Sequence, residues 1–407
     1  MEEAWKEYKL GNVCSRLRSG KGIKAESILD AGLFPVIGGN GIRGYTNVSN
    51  FKGECAIIGR QGAYCGNVRF YEGEAYMTEH AVVVVGNELA DTRYLACLLS
   101  LMHLGNLSAQ SAQPGLSVQT LSKQLIHLPS LKYQRRVSSI IKSLDDKIEV
   151  NRRINDNLEQ QAQALFKSWF VDFEPFKDGE FVESEMGMIP KGWRVGVYDD
   201  IILETISGDW GKEKAEGNYT HKVACIRGCD FQDIKNGLRG KTPERFILEK
   251  NFQNKYFCDK DMLVEISGGT ATVSTGRVCP VSQQLIDKYN GDVVCTNFCK
   301  LVRPKKGYGA YLYYSWFNKY NNKVMFGYEN GTSGIKNFRI KDFTSIEPVV
   351  LPPLEKIQEF QNVIDSIQKQ IQTRGTESQN LAQLRDTLLP RLMSGELKVN
   401  EIERTVG

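Results

Sequence analysis

The stretch VSSIIKSLDDKIEVNRRINDNLEQQAQALFKSWF (137–170) decides the fold of this 407-residue chain. Val137, Ile141, Leu144, Ile148, Asn151, Asn155, Leu158, Ala162, Leu165 and Trp169 recur at alternating steps of four and three. That spacing is the a/d seam of a coiled-coil helix. Shifted by 223 positions, the same steps fall on Phe360, Ile364, Ile367, Ile371, Arg374, Ser378, Leu381, Arg385, Leu388 and Leu392. A similar phrase precedes each copy, LPSL at 128–131 and LPPL at 351–354. Both seams turn polar at their centres, at Asn151 and Asn155 and at Arg374 and Ser378. Polar seam residues cost stability and fix register, so the two helices are expected to pair with each other.

Each helix is expected to run about 38 residues, roughly 57 Å at 1.5 Å per residue. Pro129 and Pro352 stand before the starts, where proline is tolerated. Pro175 is expected to end the first helix, and Pro390 to break or kink the second. The repeat extends upstream. CAIIGRQG (55–62) aligns with LVEISGGT (263–270), TEHAVVV (78–84) with TNFCKLV (296–302), and YLACLLSL (94–101) with YLYYSWFN (311–318). The chain therefore reads as a tandem duplication: a globular domain at 1–130, a helix at 131–176, a second and longer domain at 177–350, and a helix with tail at 351–407.

Strands rich in β-branched residues, glycine turns and one apolar helix per copy predict mixed α/β (α+β) domains in tandem, each followed by a long α-helix. A head-to-tail duplication folds as a pseudo-dimer, so the helices are expected to form an antiparallel coiled coil with pseudo-two-fold symmetry. Asn151 and Asn155 would then face Ser378 and Arg374 as a register device.

Composition narrows the class. No run of about 18 apolar residues suggests a membrane span. The opening MEEAWKEYKL is acidic and polar, unlike a secretory signal, and ten irregularly spaced cysteines suit a reducing cytoplasm. Net charge is only +4, from 52 basic and 48 acidic residues. Residues 300–341, however, hold nine Lys/Arg against the single acid Glu329, an excess of the kind that marks a phosphate-binding face.

The segments LPSLKYQRRVSSIIKSLDDKIEVNRRINDNLEQQAQALFKSWFVDFEPF (128–176), GMIPKGW (187–193) and LRDTLLPRLMSGEL (384–397) resemble the specificity subunit of type I restriction–modification enzymes. The resemblance extends to the domain–helix–domain–helix order of the whole chain. It implies two target recognition domains, each reading one half of a split, asymmetric site in double-stranded DNA. It also implies helices that act as a spacer and dock two DNA-adenine methyltransferase subunits, with motor-nuclease subunits added in the full complex. S-adenosylmethionine, ATP and Mg would reside on those partners, and the chain itself would be non-catalytic with no cofactor.

Within the first domain, GGNGIRG (38–44) and GRQGAYCG (59–66) are the candidate DNA loops, because glycine lets backbone approach phosphate and Arg and Gln read guanine and adenine bidentately. Arg43, Arg60, Gln61 and Tyr64 are the expected contacts, followed by His80 and Gln113. The second domain offers Arg227, Thr270, Asn297, Lys336, Asn337 and Arg339. The aromatic run YLYYSWF could stack on unpaired bases, but its match to YLACLLS favours a packed helix.

Motifs for chemistry are missing from the sequence. It contains no Gly-rich S-adenosylmethionine loop, no Asn/Asp-Pro-Pro-aromatic signature and no GxxxxGK[ST]. CIRGC (225–229) and CTNFC (295–299) have the wrong spacing for a zinc knuckle, and Asp386 with Glu396 and Lys398 reads as a chance nuclease-like pattern. Two alternatives are weighed against the specificity subunit. One is a divergent single-chain nuclease or methylase. The other is a protein-interaction scaffold whose globular parts never touch DNA.

Overall fold

A computed structural model describes residues 5–108, 115–270, 272–331 and 335–399. The chain divides into two compact units, Met1–Asp146 with Leu381–Gly407, and Lys147–Asn380.

The first unit is built on β1 (Lys6–Lys9), β2 (Cys14–Ser19), β3 (Phe34–Gly38), β4 (Gly41–Thr46), β5 (Phe51–Gly59), β6 (Val68–Met77), β7 (Ala81–Gly86) and β8 (Leu125–Leu128), with helices α1 (Thr92–Leu101) and α2 (Val118–Ser122). Six strands form one sheet in the order β2-β7-β5-β6-β3-β4. β3 runs parallel to β6, and the other neighbours are antiparallel. Central strands buried on both faces need continuous apolar sequence, which AIIG and AVVVVG supply. Ala56, Ile58, Val82 and Val84 pack beneath Tyr94, Leu95 and Leu99 of α1. Cys55, Ile57, Ala81 and Val83 pack on the other face with Ile37 and Met77.

The first long helix, α3, spans Leu131–Phe170. It stops five residues before Pro175, because Phe173 takes a left-handed backbone (φ 55) that opens a short 3-10 turn, Glu174–Phe176. The second unit begins within this helix. A hairpin of β9 (Phe181–Ser184) and β10 (Gly187–Pro190) follows, and β11 (Arg194–Val197) pairs with β22 (Pro348–Leu351). One sheet is ordered β12 (Ile202–Ser207), β19 (Cys299–Pro304), β15 (Met262–Glu265), β17 (Val278–Pro280). A second is β14 (Glu244–Leu248), β13 (Tyr219–Ile226), β18 (Val293–Cys295), with β13 and β18 parallel. A small third is β16 (Ser267–Gly268), β21 (Lys336–Phe338), β20 (Glu329–Asn330). Helices α4 (Phe231–Lys235), α5 (Glu249–Lys255), α6 (Gln283–Asp287), α7 (Gly309–Asn321) and α8 (Ile340–Ile346) complete the domain, and α9 is the second long helix, Leu354–Met393. The aromatic run lies in α7, where Tyr311, Tyr313, Tyr314 and Trp316 are buried.

α9 carries Pro390 and continues to Met393. The proline lacks only the donor that would reach the exposed Asp386 turn, while its own carbonyl still accepts from Ser394 N at 3.0 Å. The helix is not broken there.

α3 and α9 run antiparallel within each unit. In the first, Tyr133 donates to Leu392 O, Arg385 Nη1 meets Asp145 Oδ1 at 2.8 Å, and Val137 and Ile141 share a core with Leu388 and Leu392. In the second, Phe166 and Phe170 pack edge-on to Phe360, with ring centroids 6.0 and 5.1 Å apart. Each long helix grips its own domain at the same place. Ser138 Oγ donates to Asp91 Oδ1 (2.5 Å), the carboxylate that caps α1 at Tyr94 N. Gln361, 223 positions on, accepts from Ala310 N (2.7 Å) in the first turn of α7.

Candidate nucleic-acid interface

The same backbone hydrogen bonds frame a loop cluster in each unit. In the first, Thr78 N donates to Ile37 O (2.9 Å), Lys21 N to Met77 O (2.9 Å), Arg60 N to His80 O (3.0 Å), Gly66 N to Gly59 O (2.8 Å) and Leu116 N to Arg60 O (2.9 Å). In the second, Thr296 N donates to Ile226 O (2.9 Å), Asp209 N to Cys295 O (2.8 Å), Ile266 N to Phe298 O (2.9 Å), Gly276 N to Glu265 O (2.8 Å) and Phe338 N to Ile266 O (2.8 Å). Gly20 and Gly208 permit the closest approach in each frame, since a Cβ there would stand 2.0 Å from Met77 O or Thr296 O. The duplication is thus written in backbone pairing as well as in sequence. It also corrects the alignment by two residues: GRQG (59–62) occupies the place of EISG (265–268), not of SGGT.

In the first unit this frame opens a polar recess of about 400 Å³ lined by residues 38–43, Gln61 and His80. Glycine makes the recess possible. A Cβ on Gly39 would lie 2.7 Å from His80 O and 3.0 Å from Gly59 Cα, so the β3–β4 turn could not settle there with a larger residue. Arg43 and Gln61 are exposed, and His80 is half-buried, 3.2 Å from Glu79 Oε1. Tyr64 stands exposed on the same loop as Gln61. Arg60 is directed back into the fold, with Nε donating to Leu116 O at 3.3 Å. Gln113 lies outside the described residues.

Sequence reasoning missed two side chains at this recess. Asn40, inside the glycine loop, accepts from Arg69 Nη2 at 3.1 Å. Arg69 lies against Gly41, where a Cβ would meet Nη1 at 2.6 Å. Arg69 enters through the pairing of β5 with β6, opposite Ile57, and no local pattern marks it. Asn40 could have been chosen as the one polar side chain in GGNG.

The corresponding place in the second unit is filled by ion pairs. Arg227 is bound to the buried Asp230 through Nε and Nη2, both at 3.1 Å, and to Lys241 O at 2.8 Å. These contacts hold its guanidinium above the usual arginine range. Glu265 and Arg277 form a bidentate pair beside it (2.7 and 2.8 Å). Lys336 is tied to the buried carboxylate of Glu329 (2.8 Å), and Arg339 reaches Asp342 and Gly327 O. Thr270 Oγ1 accepts from Thr272 N and Val273 N, which holds its own turn. Exposed groups at this end include Asn297 and Asn337, beside an exposed Phe298.

Four of the nine cations of 300–341 are held in ion pairs, three of them with acids outside the segment and Lys336 with Glu329. Arg303 pairs with Glu204 and Asp261, Lys319 with Glu347, and Lys336 and Arg339 as above. Lys305 donates to Asp200 O. Among the described residues Lys300, Lys306, Lys323 and Lys341 form no ion pair.

The polar centre of the seam divides in function. Asn151 Nδ2 donates to Ser378 Oγ (3.2 Å) and Glu377 Oε2 (2.8 Å) across the helix pair. Asn155 Nδ2 donates to Ile371 O (3.2 Å) and to Asn236 O (3.1 Å), a carbonyl at the end of α4. Arg374 does not face them. It turns along its own helix to Gln370, and buried Gly375 takes the seam position instead. A glycine there admits the domain loop to the helix surface.

Cys225, Cys295 and Cys299 are buried and Cys229 is exposed. Burial pushes the Cys225 and Cys299 thiols up to about 12, which keeps them protonated. Asp386 and Glu396 each pair with an arginine of α9, Arg385 and Arg391.

Residues 2–160 match the family model of the type I restriction modification DNA specificity domain. The chain is 27% identical to the type I restriction enzyme MjaIX specificity subunit of Methanocaldococcus jannaschii over 307 residues, covering 74% of this chain and 67% of that one. It is 26% identical over 345 residues to the HindI specificity subunit of Haemophilus influenzae, covering 70% and 71%. A shorter region of 144 residues is 38% identical to the EcoprrI specificity subunit of Escherichia coli, covering 34% and 36%. Among solved structures, the type I restriction–modification S subunit of M. genitalium shares the fold, with a TM-score of 0.53, 14% identity and 96% of each chain covered. No helix among the described residues is long and apolar enough to cross a membrane.

Proposed function

We propose that the chain is a type I restriction–modification specificity subunit, the non-catalytic component that chooses the DNA sequence. One recognition domain, residues 1–130, reads one half of a bipartite, asymmetric site, and the other, residues 177–350, reads the second half. The observation that carries this is the repeated backbone frame with unlike side chains at its loops. An open recess holding Asn40, Arg43, Gln61, Arg69 and His80 stands in one copy, and a surface of Asn297, Phe298 and Asn337 over internal ion pairs stands in the other. Identical frames with different donors, acceptors and apolar groups suit two different base sequences.

The rest of the complex follows from the family. Two methyltransferase subunits would dock on the helices, and motor-nuclease subunits would join them in the full assembly. S-adenosylmethionine, ATP and Mg would be bound by those partners, in the cytoplasm. The test is to map methylated adenines in cells with and without this chain, and to measure S-adenosylmethionine binding by the purified chain. A bipartite, non-palindromic methylated motif that depends on the chain is the expected result. Stoichiometric cofactor binding by the isolated chain would favour a single-chain methylase, and loss of no motif would favour the scaffold reading.

A further inference from the structure

Two glycines from distant parts of the second unit meet back to back. Gly375 lies in the middle of α9, where glycine is disfavoured relative to every residue but proline. A Cβ on it would stand 2.3 Å from Gly237 O, 2.4 Å from Gly237 C and 2.5 Å from Asn236 O. Gly237, in the turn after α4, adopts φ +73, and a Cβ on it would lie 2.6 Å from Ile371 O and 3.2 Å from Gly375 Cα. Neither position admits a side chain without moving backbone. The domain backbone is therefore seated directly on the helix backbone.

Polar groups bolt this seat from two sides. Asn155 of α3 donates through one amide to both Asn236 O and Ile371 O, so it joins two helices and the domain. Lys288, which follows α6, donates to Gly237 O and to Gln372 Oε1 (3.2 Å), and Gln372 is itself buried. Burial pushes the Lys288 ammonium down to about 8. A lysine accepts that cost where its hydrogen bonds fix a geometry.

We propose that Asn155, Gly375 and Lys288 are positioning residues: they fix the seat of the second recognition domain on the helix pair and thereby set the separation between half-sites that the chain accepts. This rests on the reading that each domain reads one half-site. Length of the helices alone would not suffice for such selectivity, because a domain free to rock on its helix would tolerate several spacers. A backbone-on-backbone contact leaves no flexible side chain to absorb rocking, and packed interiors resist small displacements.

The experiment uses the full chain assembled with its methyltransferase partner and DNA duplexes built on the motif mapped in cells. Their spacers are shortened or lengthened by one or two base pairs. The wild type should prefer one spacer. Gly375→Ala and Lys288→Met should each lower that preference by about fivefold or more, or move its optimum, while discrimination against wrong bases within either half-site stays unchanged. Wild-type spacer preference in a folded Lys288→Met variant would overturn the proposal, even if Gly375→Ala failed to fold. So would an equal loss of affinity for every spacer, the mark of a merely structural role. A wild type with no spacer preference at all would instead sink the bipartite reading.

Discussion

Replacing Asn155 with leucine should destabilise the second unit, although exchanging a buried polar group for an apolar one is often neutral or stabilising. The difference lies in what the side chain leaves behind. Asn155 Nδ2 holds two backbone carbonyls, Ile371 O and Asn236 O, and the first keeps its place in the helix ladder while the second has no other donor among the described residues. A stranded buried carbonyl costs about 1–3 kcal/mol. Leucine returns up to ~1.5 kcal/mol of apolar burial, and it also removes the unpartnered buried Oδ1 of Asn155, worth about 1 kcal/mol. Against these gains stands the crowding of a branched side chain beside two glycines placed for close backbone approach, and overpacking costs about 1–3 kcal/mol. The balance is a net destabilisation of about 1–2 kcal/mol. The double change of Asn151 to Leu with Ser378 to Ala should be near neutral, because both partners go together and Glu377, which is half exposed, can turn to water. Hydrogen exchange at Gly237 and Leu238, whose amides bond Ile234 O and Asp233 O, gives a local readout. About a 5–30-fold faster exchange corresponds to the expected destabilisation. Exchange unchanged or slower in the Asn155 variant, or a urea midpoint above wild type, would rule this balance out.

Three further outcomes are expected. Replacing Arg43 and Gln61 together with alanine should relax reading of one half-site only, by about 1–3 kcal/mol for each bidentate pairing removed, as measured by binding to duplexes altered in each half; equal effects on both halves would contradict it. Truncating Phe170 to alanine should cost about 3–5 kcal/mol, because it removes a buried ring packed between Phe360 and Tyr311, and urea unfolding of the full chain would show it. Burial holds Lys288 near 8 against an ordinary 10.5, so between those values the unfolded chain binds more protons than the folded one. Stability of the wild type relative to Lys288→Met should therefore rise as pH goes from about 7.5 to about 9, the range a urea series would cover, and a flat difference would count against it.

The tandem architecture was legible in the sequence because coiled-coil pairing and strand burial are read from periodicity, and both copies carry the same periods. The heptad of 137–170 and its return at 360–392 foretold α3 and α9, and the apolar runs around Ile57 and Val83 foretold central strands. Helix ends were less legible. A left-handed Phe173 ended α3 before Pro175, and Pro390 was absorbed because it costs one hydrogen bond on an exposed turn. The loops showed the same limit. Glycine and arginine content marked the recess around Arg43 and Gln61, yet Arg69 reached it only through strand pairing, and the alignment of GRQG had to be shifted by two once backbone bonds were known. Charge was the least transferable signal. Nine cations between 300 and 341 read as a phosphate-binding face, but Glu204, Asp261, Glu347 and Asp342 tie up three of them, Arg303, Lys319 and Arg339. Local sequence fixes which residues can form a helix or strand, because those forces act over a few positions. Which ion meets which carboxylate depends on segments as much as 99 residues apart. That Gly375 rather than Arg374 takes the seam, so that Gly237 can rest on it, joins segments more than a hundred residues apart. Both were decided only by tertiary packing.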